Sequence, residues 1–201
     1  MRTPAMRLGQ WMARGAAGVL LMLVLPLLVL LAGGVLLSLG RPVLFRQQRA
    51  GRGGVPFTLL KLRSMRNTCD ASGRPLPDEA RVTPFGRFLR RSRLDELPGL
   101  WNVVAGDMAF VGPRPLLPET IAALAMHGVQ RGAVRPGLTG WSQVNGNTLL
   151  ALEEKIALDL WYVAHSSPLL DLRILLLTVW VMVGGERRAQ DDLLLAEPDR
   201  P

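Results

Sequence analysis

The longest apolar stretch of the chain covers residues 15–40, GAAGVLLMLVLPLLVLLAGGVLLSLG, and contains no charged side chain. At about 1.5 Å per residue, a straight helix of this length extends about 39 Å. A hydrocarbon core is about 30 Å thick, so such a helix is long enough to cross it. The pattern therefore predicts an N-terminal membrane helix.

The sequence leaves three arrangements of this helix open. A signal peptide has a shorter apolar region of about 7–15 residues, although the SLG before Arg41 weakly resembles a cleavage site. Arginines flank the segment on both sides, so the positive-inside bias does not orient a spanning helix. Pro26 lies near the middle, removes one helix hydrogen bond and predicts a bend. A re-entrant helix, which bends at Pro26 and returns to the same side, agrees with both the flanks and the proline.

Shorter patterns predict mixed structure after the membrane helix. Apolar runs at 43–45 and 55–62 flank a basic, glycine-rich turn, which predicts a β-hairpin. Residues 67–83 are polar and contain prolines, so a loop is expected there. Residues 84–92 predict a helix with arginines on part of its surface, which suits either an anionic membrane or solvent. The uncharged run 174–185 is too short to span and predicts a core or interfacial helix.

Charge is distributed unevenly along the chain. The 201 residues are 49% hydrophobic, enough for one compact domain, and carry a net charge of +8 that comes almost entirely from arginine. Residues 1–94 have a net charge of +13, and residues 95–201 have a net charge of −5. Such an excess of arginine favours a polyanionic partner: nucleic acid, anionic lipid or a phosphorylated substrate.

Composition reduces the number of possible partners. A nucleic-acid binder would interleave aromatic residues with its basic patch to stack bases, and this chain has one Tyr and five Phe. Nucleic acid is therefore not expected as a partner. Cys69 is the only cysteine, which excludes an intramolecular disulfide and a cysteine-based zinc cluster and fits a reducing compartment.

Asp95 and Glu96 are adjacent carboxylates that follow a run of arginines. They could serve only as a helix-start signal, since the backbone dipole favours acidic residues in the first turn. A cap at Ser92 would place Pro98 beyond the first turn, where its missing N–H is harmful, so we place Asp95 at or next to the N-cap. The free N–H groups of that helix would also favour a bound phosphate.

Two later loops, GDMAFVGPRPLLPE and VRPGLTGWSQVNGN, each present one arginine beside a proline. Proline restrains the residue before it to extended backbone. Arg114 and Arg135 therefore have less entropy to lose when their planar guanidinium groups clamp a phosphate. The pattern predicts two phosphate-binding arginines.

Four ordered blocks of sequence resemble the small monotopic phosphoglycosyl transferases, a group of bacterial sugar transferases, over roughly residues 15–185. The resemblance implies transfer of a sugar phosphate from a UDP-sugar to polyprenyl (undecaprenyl) phosphate, with release of the nucleoside monophosphate and use of Mg²⁺. It implies the first membrane step of surface polysaccharide or glycoconjugate synthesis. The blocks are PVLFRQQRAGRGGVPFTLLKLRSM, RVTPFGRFLRRSRLDELPGLWNVVAGDMAFVGPRPLLPE, VRPGLTGWSQVNG and EEKIALDLWYV.

The resemblance also implies roles for single residues. Asp95 and Glu96 match the catalytic acidic dyad, with Asp95 as the nucleophile and as a ligand of Mg²⁺. Glu96 would either assist the second step or orient the Mg²⁺. Pro26 matches the helix-breaking proline of a re-entrant helix, although Leu25 and Ala13 stand where that family usually has Ser and Asp. The basic residues matched to the phosphates are Lys61, Arg90, Arg114 and Arg135.

A carboxylate near its unperturbed pKa of about 3.9 is ionised at neutral pH, so Asp95 could attack phosphorus without a base and form an aspartyl phosphosugar. The implied architecture is α+β and mostly helical, with a re-entrant membrane helix (1–40), a short β-hairpin, interfacial amphipathic helices, a small cytoplasmic catalytic domain (41–186) and a polar tail (187–201). The implied location is the bacterial inner membrane, with the catalytic domain facing the cytoplasm. A non-catalytic membrane-anchored scaffold of the same fold is the alternative.

Overall fold

A computed structural model describes residues 4–185, with side chains described from residue 9 onward. The predicted polar tail, residues 187–201, lies outside the described residues. The chain forms two compact units. Among the described residues, unit 1 contains residues 4–47 and 58–106, and unit 2 contains residues 48–57 and 107–185.

Helices dominate the secondary structure, as predicted. The helices are α1 Pro4–Leu39, α2 Asp78–Arg81, α3 Pro84–Arg91, α4 Gly99–Ala105, α5 Pro118–Ala123, α6 Ala125–Arg131, α7 Trp141–Val144, α8 Leu152–His165 and α9 Pro168–Gly184. The strands are β1 Leu44–Ala50, β2 Pro56–Leu62, β3 Ala109–Val111 and β4 Gly137–Thr139. Short 3-10 turns cover Arg52–Gly54, Leu94–Glu96 and Asn147–Leu149.

The predicted short elements form where the patterns place them. β1 and β2 form the predicted hairpin. Helix α3 confirms the helix predicted at 84–92, and Thr83 caps it by accepting a hydrogen bond from the Gly86 N–H at 3.0 Å. The predicted loop at 67–83 contains one helical turn, α2, that the polar composition did not indicate. Helix α9 includes the predicted apolar run 174–185 except its last residue.

Helix α1 confirms the long apolar helix at the N-terminus. Its stretch Gly9–Leu39 is long and apolar enough to cross a membrane, with a mean hydropathy of 2.9 in its most hydrophobic window. Only 11% of that window is buried, whereas the core helix of a soluble protein would be mostly buried. The helix continues through Pro26, so the proline does not end it.

The core of unit 1 joins the apolar helix to the segment that carries the acidic pair. Leu31 and Val35 of α1 are buried against Leu62 and Leu89. Partly buried residues that pack on this cluster include Phe85, Leu94 and Leu97. Since Leu94 and Leu97 flank Asp95 and Glu96, burial of their side chains fixes the backbone of the acidic pair.

The core of unit 2 lies among β3, α7, α8 and α9. β3 and β4 pair in parallel, with Ala109 opposite Gly137 and Val111 opposite Thr139. Trp141 stacks on Trp161, with ring centroids 5.2 Å apart. The buried apolar residues of this core are Val111, Trp141, Val144, Leu150, Leu158, Tyr162, Ile174 and Val181.

Candidate active site

The acidic pair lies in a 3-10 turn, not at a helix N-cap as the sequence predicted. Arg93 adopts a left-handed conformation (φ 56°, ψ 15°), which turns the chain out of α3. The turn Leu94–Glu96 follows, so Asp95 is its central residue. The N-cap of α4 is Pro98, where the missing N–H does no harm. The left-handed residue shifts the helical start, and nothing in the local sequence indicates it.

The free N–H groups that the sequence predicts beside the acidic pair are not found at the four positions described next. The amides of Glu96 and Leu97 donate to carbonyls of the preceding turn at 3.1 and 3.3 Å. The amides of Leu100 and Trp101 both donate to carbonyls three residues earlier at 3.0 Å. Because these four N–H groups are already bonded within the chain, side chains supply much of the positive charge near the acidic pair.

Lys61 supplies part of that charge. Its Nζ lies 2.6 Å from Oε1 of Glu96, and both side chains are 19% exposed. Asn102 of α4 fixes the strand that carries Lys61: its Oδ1 accepts from the Leu60 N–H at 3.1 Å, and its Nδ2 donates to the Thr58 carbonyl at 2.8 Å. Asn102 is buried, so these bonds are shielded from water. The structure thus brings together Lys61, predicted as a phosphate ligand, and Glu96 of the acidic pair.

Asp95 has an altered acidity. Burial and, to a smaller extent, the neighbouring charge of Glu96 raise the pKa of its carboxyl to about 6, although the charges of Lys61 and Arg90 oppose the rise. The ordinary pKa assumed from sequence is therefore too low, although Asp95 is still mostly ionised at neutral pH. Arg90 lies close enough for its charge to act on Asp95, and its Nη1 is 3.7 Å from Asp78 Oδ2.

This raised pKa predicts a pH dependence of both rate and stability. If ionised Asp95 is the nucleophile, kcat/KM for the sugar donor should fall about tenfold per pH unit below about pH 6 and level off above about pH 7.

The same carboxyl also links the free energy of unfolding to pH. Its pKa is higher in the folded than in the unfolded chain, so protonation of Asp95 stabilises the fold. This stabilisation is complete below about pH 4 and is lost as the pH rises through about 6. Asp95→Asn should therefore melt at a higher temperature than the parent at neutral pH.

Melting curves of the two proteins between about pH 4 and about pH 8 test this sign. The difference in Tm should grow as the pH rises. A difference that is constant across the range would contradict the raised pKa.

The acidic pair also fits Mg²⁺ in part. Protein-bound Mg²⁺ usually takes one or two carboxylates and completes its coordination with water and substrate phosphates. Asp95 and Glu96 provide adjacent carboxylates. Among the described residues no group of three or more His, Cys, Asp and Glu side chains lies together, so substrate phosphates would have to supply further ligands.

Arg114 and Arg135 lie in unit 2, on loops that contact each other. Arg114 follows β3 and Arg135 precedes β4. The Ala109 N–H donates to the Pro136 carbonyl at 2.8 Å, and the Gly137 N–H donates to the Pro113 carbonyl at 3.0 Å. Gly112 lies against the Arg135 backbone so closely that an added Cβ would clash with the Arg135 carbonyl. The two predicted arginines are thus held in one group within unit 2.

A buried ionic network in unit 2 was missed by the sequence reasoning. Arg131 Nη2 lies 2.6 Å from Asp159 Oδ2, and the two residues are 5% and 1% exposed. Ser142 Oγ donates to the other carboxylate oxygen at 2.7 Å. Burial raises the pKa of the Asp159 carboxyl, while the charges of Arg131 and Arg114 and the Ser142 hydroxyl oppose the rise. One signal was available: Asp159 falls on the same helix face as the apolar Ile156 and Tyr162, where a charge requires a partner.

An acidic pair among basic side chains, beside an exposed apolar helix, is typical of a membrane-associated protein that acts on phosphorylated substrates. Comparison with known proteins agrees with this class of protein. The family described as bacterial sugar transferase matches residues 6–185. The uncharacterised sugar transferase EpsL of Bacillus subtilis (strain 168) is 45% identical over 163 residues, which cover 81% of each chain.

Two further relatives have named activities. Both are called UDP-glucose:undecaprenyl-phosphate glucose-1-phosphate transferase, one from Xanthomonas campestris pv. campestris and one from Caulobacter vibrioides. They are 43% and 42% identical over 176 and 179 residues, which cover 82% of this chain but 36% and 65% of theirs. The chain belongs to the bacterial sugar transferase family. It spans only part of the length of these two relatives.

Proposed function

We propose that this chain transfers a sugar-1-phosphate from a UDP-sugar to undecaprenyl phosphate and releases UMP. The observation that supports this most is the acidic pair. Glu96 is held by Lys61 at 2.6 Å, and Asp95 is next to it in a turn flanked by the partly buried Leu94 and Leu97. Two relatives with named activities act on UDP-glucose and undecaprenyl phosphate, which supports the same substrate classes here.

The first step would be an attack by an Asp95 carboxylate oxygen on the phosphorus next to the sugar. The new bond joins Asp95 to that phosphorus, and the bond between the two phosphates breaks, so the electron pair leaves with UMP. No proton transfer is required, because Asp95 is mostly ionised at neutral pH with a pKa of about 6. The product would be an aspartyl phosphosugar on the enzyme.

The second step would return Asp95 to its starting state. A phosphate oxygen of undecaprenyl phosphate attacks the same phosphorus and displaces the Asp95 carboxylate, which yields the lipid diphosphosugar. Glu96 would orient the acceptor or share the binding of Mg²⁺ with Asp95. When bound, Mg²⁺ would supply positive charge against the substrate phosphates.

Cationic side chains would offset the repulsion between the carboxylate and the phosphates. Lys61 and Arg90 act on Asp95 directly, since both lower its pKa. We assign Arg114 and Arg135 to the substrate phosphates, because a planar guanidinium presented next to proline suits bidentate binding. Fixed charges of this kind supply most of the catalysis in phosphoryl transfer.

We propose that α1 is re-entrant, with both ends on the cytoplasmic side of the bacterial inner membrane. Both ends of the helix contact the rest of unit 1. Arg14 Nε donates to the Val104 carbonyl at 2.8 Å, and Ser38 Oγ lies 3.1 Å from Thr83 Oγ1. These ends are separated by about 36 Å of helix, more than a hydrocarbon thickness of about 30 Å. A helix perpendicular to the membrane would carry Arg14 away from unit 1 to the opposite side.

The exit of α1 is held by a second basic residue. The buried Arg63 guanidinium donates to the carbonyls of Gly40 at 2.7 Å and Arg41 at 3.1 Å, and also to the Leu39 carbonyl. Gly34 lies against the Phe85 ring so closely that an added Cβ would clash with it. These contacts make α1 part of the folded unit, which favours a retained helix over a cleaved signal peptide.

The exposed surface of α9 fits an interfacial position. Ile174 and Val181 face the core of unit 2, whereas Leu176 and Trp180 are 64% and 63% exposed. Seventeen residues are too few to span a bilayer comfortably, but they can lie in its interface with one side on protein and the other on lipid. We propose this position for α9.

Labelling of introduced cysteines tests the topology. Ala5→Cys in a Cys69→Ser background should resist an impermeant thiol reagent in intact cells and react after lysis. The parent protein supplies the control, because its exposed Cys69 reports the side on which unit 1 lies.

Pro26→Ala should shift Ala5→Cys toward outside labelling, since removal of proline from a helix interior relieves about 3 kcal/mol that opposes a straight helix. Labelling of Ala5→Cys but not of Cys69 from outside, without the Pro26 change, would contradict the re-entrant arrangement.

Release of UMP tests the reaction itself. Purified full-length protein in detergent, mixed with Mg²⁺, undecaprenyl phosphate and a panel of UDP-hexoses, should release UMP and form a lipid diphosphosugar with at least one donor. Omission of the lipid should limit UMP to about one equivalent per enzyme. No UMP with any donor would favour the scaffold alternative.

A further inference from the structure

Four consecutive carbonyls around Arg114 are each held by a donor within unit 2. The Pro113 carbonyl accepts from the Gly137 N–H at 3.0 Å, and the Leu116 carbonyl accepts from the Ala50 N–H at 2.9 Å. The two carbonyls between them accept from arginine side chains: Arg131 Nη2 donates to Arg114, and Arg49 Nη1 donates to Pro115 at 3.1 Å. We call residues 113–116, held in this way, the clamped segment.

Arg131 depends on Asp159 for its position. Its Nε and Nη2 donate to Asp159 Oδ2 at 2.8 and 2.6 Å, and the same Nη2 reaches the Arg114 carbonyl. Ser142 fixes the remaining oxygen of Asp159 at 2.7 Å. Arg131, Ser142 and Asp159 are all 5% exposed or less, so water cannot replace a lost partner easily.

We propose that Arg131 and Asp159 are positioning residues that fix the backbone of Arg114 and thereby aim its guanidinium at the donor phosphates. This inference rests on the proposed function, because it takes Arg114 as a phosphate ligand. A side chain on a fixed backbone loses less entropy on binding. Displacement of a binding group by about 1 Å can reduce rates about 100-fold.

The clamp is tested first without reference to activity. Asp159→Asn keeps the size of the side chain but removes the charge that holds Arg131. Amide hydrogen exchange in the full-length protein should then accelerate at least about tenfold at Ala50 and Gly137, whose N–H groups bond to the clamped segment. Tyr162→Phe is the matched control, because Tyr162 lies one turn after Asp159 on α8. It removes a partly buried 2.7 Å hydrogen bond to Asp171 of α9 and a 3.5 Å contact with the Val111 carbonyl, and it should leave both amides unchanged.

Kinetics then test whether the clamp acts through Arg114. Asp159→Asn should lower kcat/KM for the UDP-sugar about 10- to 100-fold, with the same division between KM and kcat as Arg114→Ala. If the variant only reduced the fraction of folded enzyme, the apparent kcat would fall and KM would not change. In an Arg114→Ala background, Asp159→Asn should change kcat/KM less than about threefold, since residues that act as a unit are not additive. Arg49→Gln removes the donor to the Pro115 carbonyl and leaves the buried pair of Arg131 and Asp159 intact. It should lower kcat/KM in the same way but more weakly, and it tests the clamp even if Asp159→Asn misfolds.

Two results would overturn the inference: unchanged exchange at Ala50 and Gly137, or losses from Asp159→Asn and Arg114→Ala that multiply. Near-normal turnover of Arg114→Ala would overturn the inference for another reason. It would remove the phosphate role of Arg114 and with it this part of the proposed function. The exchange rates would still decide whether the clamp exists.

Discussion

Asp95→Asn is expected to abolish UMP release even when no lipid acceptor is present. Asn keeps the shape of the side chain but has no anionic oxygen to attack phosphorus, and loss of a covalent nucleophile lowers kcat by about a thousandfold or more. Asp95→Ala should behave identically and guards against slow deamidation of the Asn variant. The measurement is UMP formed per enzyme in a single turnover.

Glu96→Gln is the matched comparison. It removes the neighbouring negative charge, which contributes to the raised pKa of Asp95, so the acid limb of the pH profile should move to lower pH. The first half-reaction should remain detectable, while transfer to lipid should be slowed. Equal loss of UMP release in Asp95→Asn and Glu96→Gln would mean that Asp95 has no special part in the first step.

Arg114→Ala and Arg135→Ala should each lower kcat/KM for the UDP-sugar about 100- to 1000-fold, because each removes a fixed positive charge from the substrate phosphates. Lysine at either position should restore activity only in part, since an ammonium group cannot form the bidentate fork. Membrane association should not change, because neither residue lies in an apolar segment.

Arg74→Ala provides the charge-matched control for these variants. It removes one positive charge from an exposed turn and should leave activity within about twofold of the parent. A loss in Arg74→Ala as large as in Arg114→Ala would point to overall charge instead of specific binding. Near-normal turnover in both the Arg114 and Arg135 variants would contradict their assignment.

The elements defined by local chemistry could be predicted from sequence. A run of 26 residues without charge at 15–40 determines α1, and a glycine-rich turn between two apolar runs determines the hairpin. The arginine-rich pattern at 84–92 also falls where α3 forms. In each case the residues that decide the structure are neighbours in the chain.

Features that depend on distant residues could not be predicted in this way. The sequence predicts Asp95 at or next to an N-cap, because nothing local to Arg93 indicates its left-handed conformation. Arg131 and Asp159 are 28 positions apart and meet only after α6 and α8 pack together. The pKa of Asp95 is raised chiefly by burial, which the sequence does not specify.

The central claim is that Asp95 forms a covalent bond to the transferred phosphosugar. The most direct measurement is peptide mass spectrometry of enzyme quenched after mixing with UDP-sugar and Mg²⁺ in the absence of lipid. The predicted result is an added sugar phosphate on the peptide that contains Asp95, formed together with about one equivalent of UMP and lost when undecaprenyl phosphate is added. UMP release that requires both substrates, with no adduct on that peptide, would contradict the account.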